Sequence, residues 1–182
     1  MSIALENMSE YARSVVERLG LEAHPEGGWY VRDWQSPIGA PEPAADRPLA
    51  SLIYFLLPEG DASAWHKVDA DELWLWHGPA TVTLELGGSG DQPADDPAGI
   101  KTIVLGSGIA DAGATDTADQ AHDDSAHASA DLASGGPVPT ATPVGHEVVP
   151  AGVWQRTVPG PGDALVSCVV SPGFTFAGFT LQ

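Results

Sequence analysis

The sequence is poor in cysteine and in long apolar runs. Its one cysteine, Cys168, excludes an internal disulfide and a cluster of thiolate metal ligands. No run of apolar residues approaches the roughly 18 needed to span a membrane. Residues 1–7 lack the basic start and apolar block of a signal peptide. We therefore expect a cytoplasmic protein that has no membrane partner.

Positive charge is also scarce. Seven Lys and Arg residues stand against 25 Asp and Glu, which gives a formal net charge of −18 over 182 residues. Because nucleic acids and anionic membranes are bound by clustered basic residues, and these seven are scattered, we expect no nucleic-acid partner. An acid excess with only two lysines is typical of halophilic proteins, whose carboxylates keep the surface hydrated at high salt. An ordinary acidic protein with an acidic loop is the alternative.

Aromatic residues are absent between His77 and Val153, and this gap contains a segment of low complexity. Residues 107–145 carry ten Ala and six Asp, no Lys or Arg, and few larger aliphatic residues. Such a composition cannot bury enough apolar area to offset the entropy lost on ordering. We expect a flexible Ala/Asp-rich insertion within a single domain that spans residues 1–182.

The remaining sequence predicts one helix followed by strands. Apolar residues recur at helical spacing over residues 8–19, where Asn7 is the expected N-cap and Gly20 the expected end. Nine short apolar or alternating segments follow, separated by Gly and Pro. They are residues 29–34, 50–57, 64–68, 72–77, 81–86, 100–105, 147–149, 164–170 and 174–181. This order predicts an all-β fold, a jelly-roll-like antiparallel barrel with a short N-terminal helix.

Two blocks of sequence carry a family resemblance. The segments His66-Lys-Val-Asp-Ala-Asp-Glu72 and Pro150-Ala-Gly152-Val-Trp154-Gln155 resemble the two motifs of the cupin superfamily. His24-Pro-Glu-Gly-Gly28 and Ser171-Pro-Gly-Phe174 are similar to motifs of small, mostly uncharacterised single-domain cupins with an RmlC-like fold. The resemblance covers about residues 10–105 and 145–182. It implies a cupin jelly roll like that of the deoxysugar epimerases, and frequent formation of homodimers.

The resemblance also bears on metal binding. Metal-dependent cupins use three His and one Glu as ligands. His66 and Glu72 match two of these positions, whereas Val68 and Gln155 stand in the places of the second and third His. Strand alternation turns His77 away from Glu72, so His77 does not replace them. A metal is therefore not favoured, and the alternative is a dioxygenase or isomerase with His66, Glu72 and Gln155 as ligands.

The preferred functional hypothesis is a small-molecule site inside the barrel. By analogy with the epimerase-type cupins, His66 and Glu72 are the expected catalytic pair of a metal-independent epimerase or isomerase. A carbohydrate-like ligand is expected to contact Trp74, Trp154, Gln155 and Glu26. Glu72 in a buried polar network and the tryptophans in the core are the structural alternatives. A non-catalytic structural or storage-like dimer is the functional alternative.

Overall fold

Eleven strands and one α-helix form in the part of the chain that the computed structural model describes, residues 2–108 and 142–182. The helix is α1 (Glu10–Leu19). The strands are β1 (Glu22–Ala23), β2 (Trp29–Gln35), β3 (Ser51–Leu57), β4 (His66–Val68), β5 (Asp71–Pro79), β6 (Val82–Leu86), β7 (Lys101–Leu105), β8 (His146–Val149), β9 (Gln155–Val158), β10 (Ala164–Ser171) and β11 (Phe179–Leu181). No helix in these ranges is long and apolar enough to cross a membrane.

The strands form two antiparallel sheets. Their orders are β1-β2-β3-β10-β5-β8 and β11-β4-β9-β6-β7. The predicted all-β jelly-roll class is confirmed, with one difference in closure. Within the described residues the strands form two separate sheets and not one continuous barrel.

The main core lies between the two sheets. Val82, Leu84 and Leu86 point inward from β6, as their alternation in the sequence predicts. They meet residues of the facing sheet that include Phe55 and Trp74, whose ring centroids lie 5.9 Å apart in an edge-to-face arrangement. The core therefore holds the inner faces of β3 and β5 in fixed positions, and these faces continue into the site described below.

Helix α1 covers the outer face of the larger sheet, but it starts later than predicted. Its N-cap is Ser9, whose Oγ accepts a hydrogen bond from the Ala12 N–H at 2.9 Å and donates one to Asp163. Asn7, the predicted cap, instead ends a turn of 3-10 helix, so that prediction is wrong. The predicted end is confirmed, since Gly20 adopts a left-handed conformation with φ 68°.

Two strands were missing from the prediction and one was too long. The sequence does not predict β1 and β9, because neither strand has an alternation of apolar and polar residues. In β9, Gln155 and Arg156 interrupt the pattern. At the C-terminal end, Phe176–Gly178 form a 3-10 helix, so that only the last three residues of the expected segment, β11, are strand.

The flanks of the predicted insertion belong to the fold. Residues 109–141 lie outside the described residues, but Val144 and Gly145 hydrogen-bond to β7 and β5, through Val104 and Trp76 respectively. A Cβ placed on Gly108 would lie 3.6 Å from the Gly145 nitrogen, so the two ends of the segment meet. The insertion therefore ends before residue 145, and the single-domain organisation stays a prediction.

Candidate functional site

A cavity of about 440 Å³ lies between the sheets and is lined by both of them. The larger sheet contributes β1, β2, β3, β5 and β10, the smaller sheet contributes β4 and β11, and the loop after β1 completes the wall. The lining residues are Glu22, His24, Glu26, Tyr30, Arg32, Ser51, Ile53, Phe55, His66, Val68, Glu72, Trp74, Cys168, Val170, Phe174, Thr175, Phe176 and Phe179. Four predicted site residues, His66, Glu72, Trp74 and Glu26, are in this wall.

Strand alternation in β5 decides which residues face the cavity. Glu72 and Trp74 line it, whereas His77 lies on the opposite face and hydrogen-bonds to the Ser167 hydroxyl at 2.6 Å. His77 is therefore separated from the cavity by its own strand, as the alternation predicts.

Gln155 lies behind the cavity wall and connects the two sheets. Its Nε2 donates to Glu72 Oε2 at 2.6 Å, and its Oε1 accepts from Trp74 Nε1 at 2.8 Å. Gln155 belongs to β9 of the smaller sheet, while Glu72 and Trp74 belong to β5 of the larger one. The amide thus orients both cavity side chains and does not itself line the cavity.

Trp154 takes a structural position. It is 1% exposed, its Nε1 donates to the Gly90 carbonyl at 2.9 Å, and Lys67 Nζ lies 4.6 Å from the centre of its ring. Trp154 is not among the residues that line the cavity. The structure therefore separates Trp154 from Trp74 and Glu26, which line the cavity.

Burial sets the protonation of Glu72. It raises the pKa of this carboxyl from 4.5 to about 7, and hydrogen bonds from Gln155 and Cys168 oppose the rise. Burial also raises the pKa of the Cys168 thiol well above its ordinary value, as do the neighbouring Glu72 and Glu26. Near neutral pH, Glu72 is therefore able both to give and to accept a proton, while Cys168 stays a thiol.

His66 is a neutral ring with one assigned proton. Burial lowers its pKa to about 4; the hydrogen bond to Ala64 opposes this shift and nearby His24 adds to it. Its Nδ1 lies 2.9 Å from the Ala64 carbonyl oxygen. A carbonyl only accepts, so Nδ1 carries the proton and Nε2 is left as an acceptor.

Glu26, and not Glu72, is the carboxyl group next to His66. Glu26 Oε2 lies 3.4 Å from His66 Nδ1 and 3.5 Å from His24 Nδ1. Burial, and secondarily repulsion from Glu72, raises the pKa of Glu26 well above its ordinary value. His66 and Glu72 both line the cavity but do not hydrogen-bond to each other. The expected catalytic pair is therefore part of a group of three side chains, His66, Glu72 and Glu26.

The turn at residues 24–28 positions this second carboxyl. Gly27 and Gly28 have φ of 110° and 70°, and a Cβ on Gly28 would lie 2.6 Å from the Phe55 ring. Only glycine fits such close packing with positive φ. His24, whose pKa burial lowers to about 4, also lines the cavity, although it was not among the predicted site residues. The spacing of His24 and Glu26, two residues apart beside the glycines, was the available signal.

The residues present do not fit the metal site of metal-dependent cupins. Val68 lines the cavity and offers no lone pair, and the Gln155 oxygen is occupied by the Trp74 indole N–H. Within residues 2–108 and 142–182, no three His, Cys, Asp or Glu side chains converge as a metal site requires. The ligand set His66, Glu72 and Gln155 therefore stays an alternative prediction, which this arrangement of donors does not favour.

Comparisons with known proteins agree with this architecture. The family model described as cupin superfamily (DUF985) matches residues 13–182. The crystal structure of protein SO0799 from Shewanella oneidensis is similar at 31% sequence identity with a TM-score of 0.64, over 94% of this chain and 84% of that one. A hypothetical protein from Leishmania major is similar in fold at 23% identity with a TM-score of 0.65, over 97% and 88%. No curated protein matches. The two motifs, the jelly-roll sheets and the match over residues 13–182 together show that the chain belongs to the cupin superfamily, in the family DUF985.

Proposed function

We propose that this cupin binds a small carbohydrate-type molecule and transfers a proton on it without a metal, as an epimerase or isomerase. The observation that carries the proposal is the pair of buried carboxyl groups in one cavity, Glu72 with a pKa of about 7 and Glu26 with a pKa well above the ordinary range. Two neighbouring carboxyl groups whose pKa values burial raises are suited to exchange protons with a ligand near neutral pH.

Glu72 is the proposed base. At and above neutral pH it is ionised in a growing fraction of molecules, and a base whose pKa lies near the working pH is the most effective. It takes the proton from the carbon next to a carbonyl group, and the electrons of that C–H bond form the carbon–carbon double bond of an enol. His66 is a weaker base, because burial holds its pKa at about 4. Its Nε2 is instead an acceptor for a ligand hydroxyl.

Glu26 is the proposed acid. Burial raises the pKa of Glu26 well above its ordinary value, which favours the protonated form, and in this proposal its O–H gives a proton to the carbonyl oxygen as the enol forms. Where the reacting carbon also bears a hydroxyl group, the enol is an enediol. Glu72 then gives the proton to the former carbonyl carbon, and the hydroxyl on the other carbon gives its proton to Glu26 as its oxygen becomes the new carbonyl, which completes the isomerisation with no net change in the protein. The cycle needs no oxidant and no second substrate.

The shape of the cavity supports a ring-containing ligand. Its volume of about 440 Å³ is within the range of small-molecule sites. Phe174, Phe176 and Phe179 lie in mutual edge-to-face contact at 5.2 to 6.1 Å on one side. Aromatic faces pack on the apolar faces of sugar rings, while the acids and His66 bind hydroxyl groups.

Deuterium exchange tests the proposal. The protein is incubated in D2O with D-glucose, D-fructose and their 6-phosphates, and loss of the C–H signal next to the carbonyl is followed by proton NMR. We expect exchange with at least one probe, reduced about 100-fold or more in Glu72→Gln. The control is His77→Asn, which changes a histidine on the opposite face of β5 and should exchange as the wild type does.

The pH dependence provides a second readout. The exchange rate should rise with pH through about 7, because Glu72 must be ionised to act as base. No exchange by the wild type with any of these probes, or equal rates in the wild type and Glu72→Gln, would contradict the proposal.

We also propose that the protein forms a homodimer through the hairpin between β2 and β3. Trp34, Ile38 and Leu49 are 48%, 66% and 41% exposed there, an apolar surface on an otherwise highly acidic chain. Light scattering should give a dimeric mass that Ile38→Asp reduces to a monomer, whereas Leu5→Asp, at an exposed leucine elsewhere, leaves it unchanged. A wild-type monomer at molar salt, where charge repulsion is screened, would refute the dimer.

A further inference from the structure

Arg32 is the one basic residue among the seven in the sequence that lines the cavity. Strand alternation in β2 places Tyr30 and Arg32 on the cavity side, while Trp29 and Val31 pack beneath helix α1. Arg32 is exposed at the mouth, away from the buried acids. Its position is therefore fixed by the same strand that forms the wall.

The guanidinium group of Arg32 has little to bind within the protein. Its Nη2 donates to the Phe174 carbonyl oxygen at 3.2 Å, a contact that holds the side chain against the aromatic side of the mouth. None of the salt bridges among the described residues includes Arg32, although Arg47, Lys101 and Arg156 each pair with a carboxylate. Most of its five N–H donors remain available to a ligand.

The nearby acid, Glu22, forms no ion pair with Arg32. Glu22 also lines the cavity and hydrogen-bonds to Tyr30, which lies opposite it on β2. Burial and this hydrogen bond raise the pKa of Tyr30, and the charge of Arg32 opposes the rise. Deeper in the cavity, burial raises the pKa of the Glu26 and Glu72 carboxyl groups, which opposes their ionisation. The cavity of a chain with net charge −18 thus has a cationic group at its mouth.

We propose that Arg32 binds an anionic group, a carboxylate or a phosphate, of the cavity's ligand, which makes the ligand a sugar acid or a sugar phosphate. This proposal rests on the proposed function for the sugar part of the ligand. A guanidinium group makes two parallel hydrogen bonds to a carboxylate or phosphate. The ligand's ring then lies on the phenylalanine side, with its reacting carbon toward Glu72.

The test compares three probes that differ in charge: D-glucose, D-glucuronate and D-glucose 6-phosphate. Binding is followed by the NMR signal of the Trp74 indole N–H, which lies at the cavity wall. At least one of the anionic probes should bind about tenfold or more tightly than D-glucose. Arg32→Gln should bring the affinities to within about twofold of one another. Arg18→Gln, which changes an exposed arginine of helix α1, is the matched control and should keep the preference.

The outcomes separate this inference from the proposed function. Equal binding of the neutral and anionic probes, a preference that survives in Arg32→Gln, or binding of none of the three would overturn the role of Arg32. A preference for anions that depends on Arg32, together with no deuterium exchange, supports this inference and refutes only the proton-transfer reaction. Carboxylate and phosphate are distinguished by which of the two charged probes binds more tightly.

Discussion

The buried charge of Glu72 makes a quantitative prediction about stability and pH. The folded-state pKa of about 7 is above the ordinary value of 4.5, so the folded protein binds more protons than the unfolded chain between these values. The contribution of Glu72 to the free energy of unfolding is therefore fully present below pH 4.5, and it is lost as the pH rises through about 7. One pKa unit corresponds to about 1.4 kcal/mol, which gives a total loss of about 3 kcal/mol.

Glu72→Gln removes this penalty. The amide keeps an oxygen that accepts the hydrogen bond from Gln155, but it does not ionise. We expect the variant to gain about 2–3 kcal/mol in free energy of unfolding, relative to the wild type, between about pH 5 and about pH 8. Urea unfolding at both pH values measures the difference.

The control is Glu17→Gln, at an exposed position of helix α1. Its free energy of unfolding should stay within about 0.5 kcal/mol of the wild type. If Glu72→Gln differs from the wild type by the same amount at both pH values, Glu72 does not ionise in a buried environment. The assignment of Glu72 as the base would then fail with it.

Three further changes test the structure around the cavity. Gln155→Leu leaves the Trp74 indole N–H without a partner, so we expect the free energy of unfolding, measured in urea, to fall by about 3 kcal/mol. A loss below about 1 kcal/mol would show that the amide is dispensable. Gly28→Ala should cost at least about 2 kcal/mol by the same assay, more than Gly88→Ala, where φ is also positive but no atom lies within 4 Å. Deletion of residues 109–141 with a short Gly-containing turn should leave a cooperative thermal transition within about 10 °C of the wild type, and loss of that transition would show that the segment packs on the core.

The fold was accessible from sequence because its signals are local. The alternation of apolar residues predicts strand β6, and Gly20 predicts the end of helix α1; each signal involves only a few consecutive residues. Both predictions are confirmed. Short strands such as β9 depend on partners distant in sequence: Gln155 pairs with His66 and Leu86, and nothing within β9 itself indicates this. Cytoplasmic location and adaptation to high salt follow from composition alone and stay predictions.

The candidate site was only partly accessible for the same reason. Motif spacing and alternation placed Glu72 and Trp74 on one face. The contact between Glu26 and His66 depends on how a glycine turn folds against β4, across 40 residues of sequence. Trp154 and Gln155 were both expected to contact the ligand because they belong to the second motif, but neither lines the cavity. Trp154 donates to the Gly90 carbonyl, and Gln155 hydrogen-bonds to Glu72 and Trp74 from behind the wall.

The division of the cavity between two sheets has a practical consequence. His66 and Val68 belong to the smaller sheet, and Glu72 and Trp74 to the larger one, so the complete site exists only while both sheets are packed together. A molecule that touches both walls binds the folded state and not the unfolded chain. At a concentration 100 times its dissociation constant, such a molecule adds about 2.7 kcal/mol to the stability. A rise in melting temperature therefore identifies cavity ligands from a mixed library before any reaction is known.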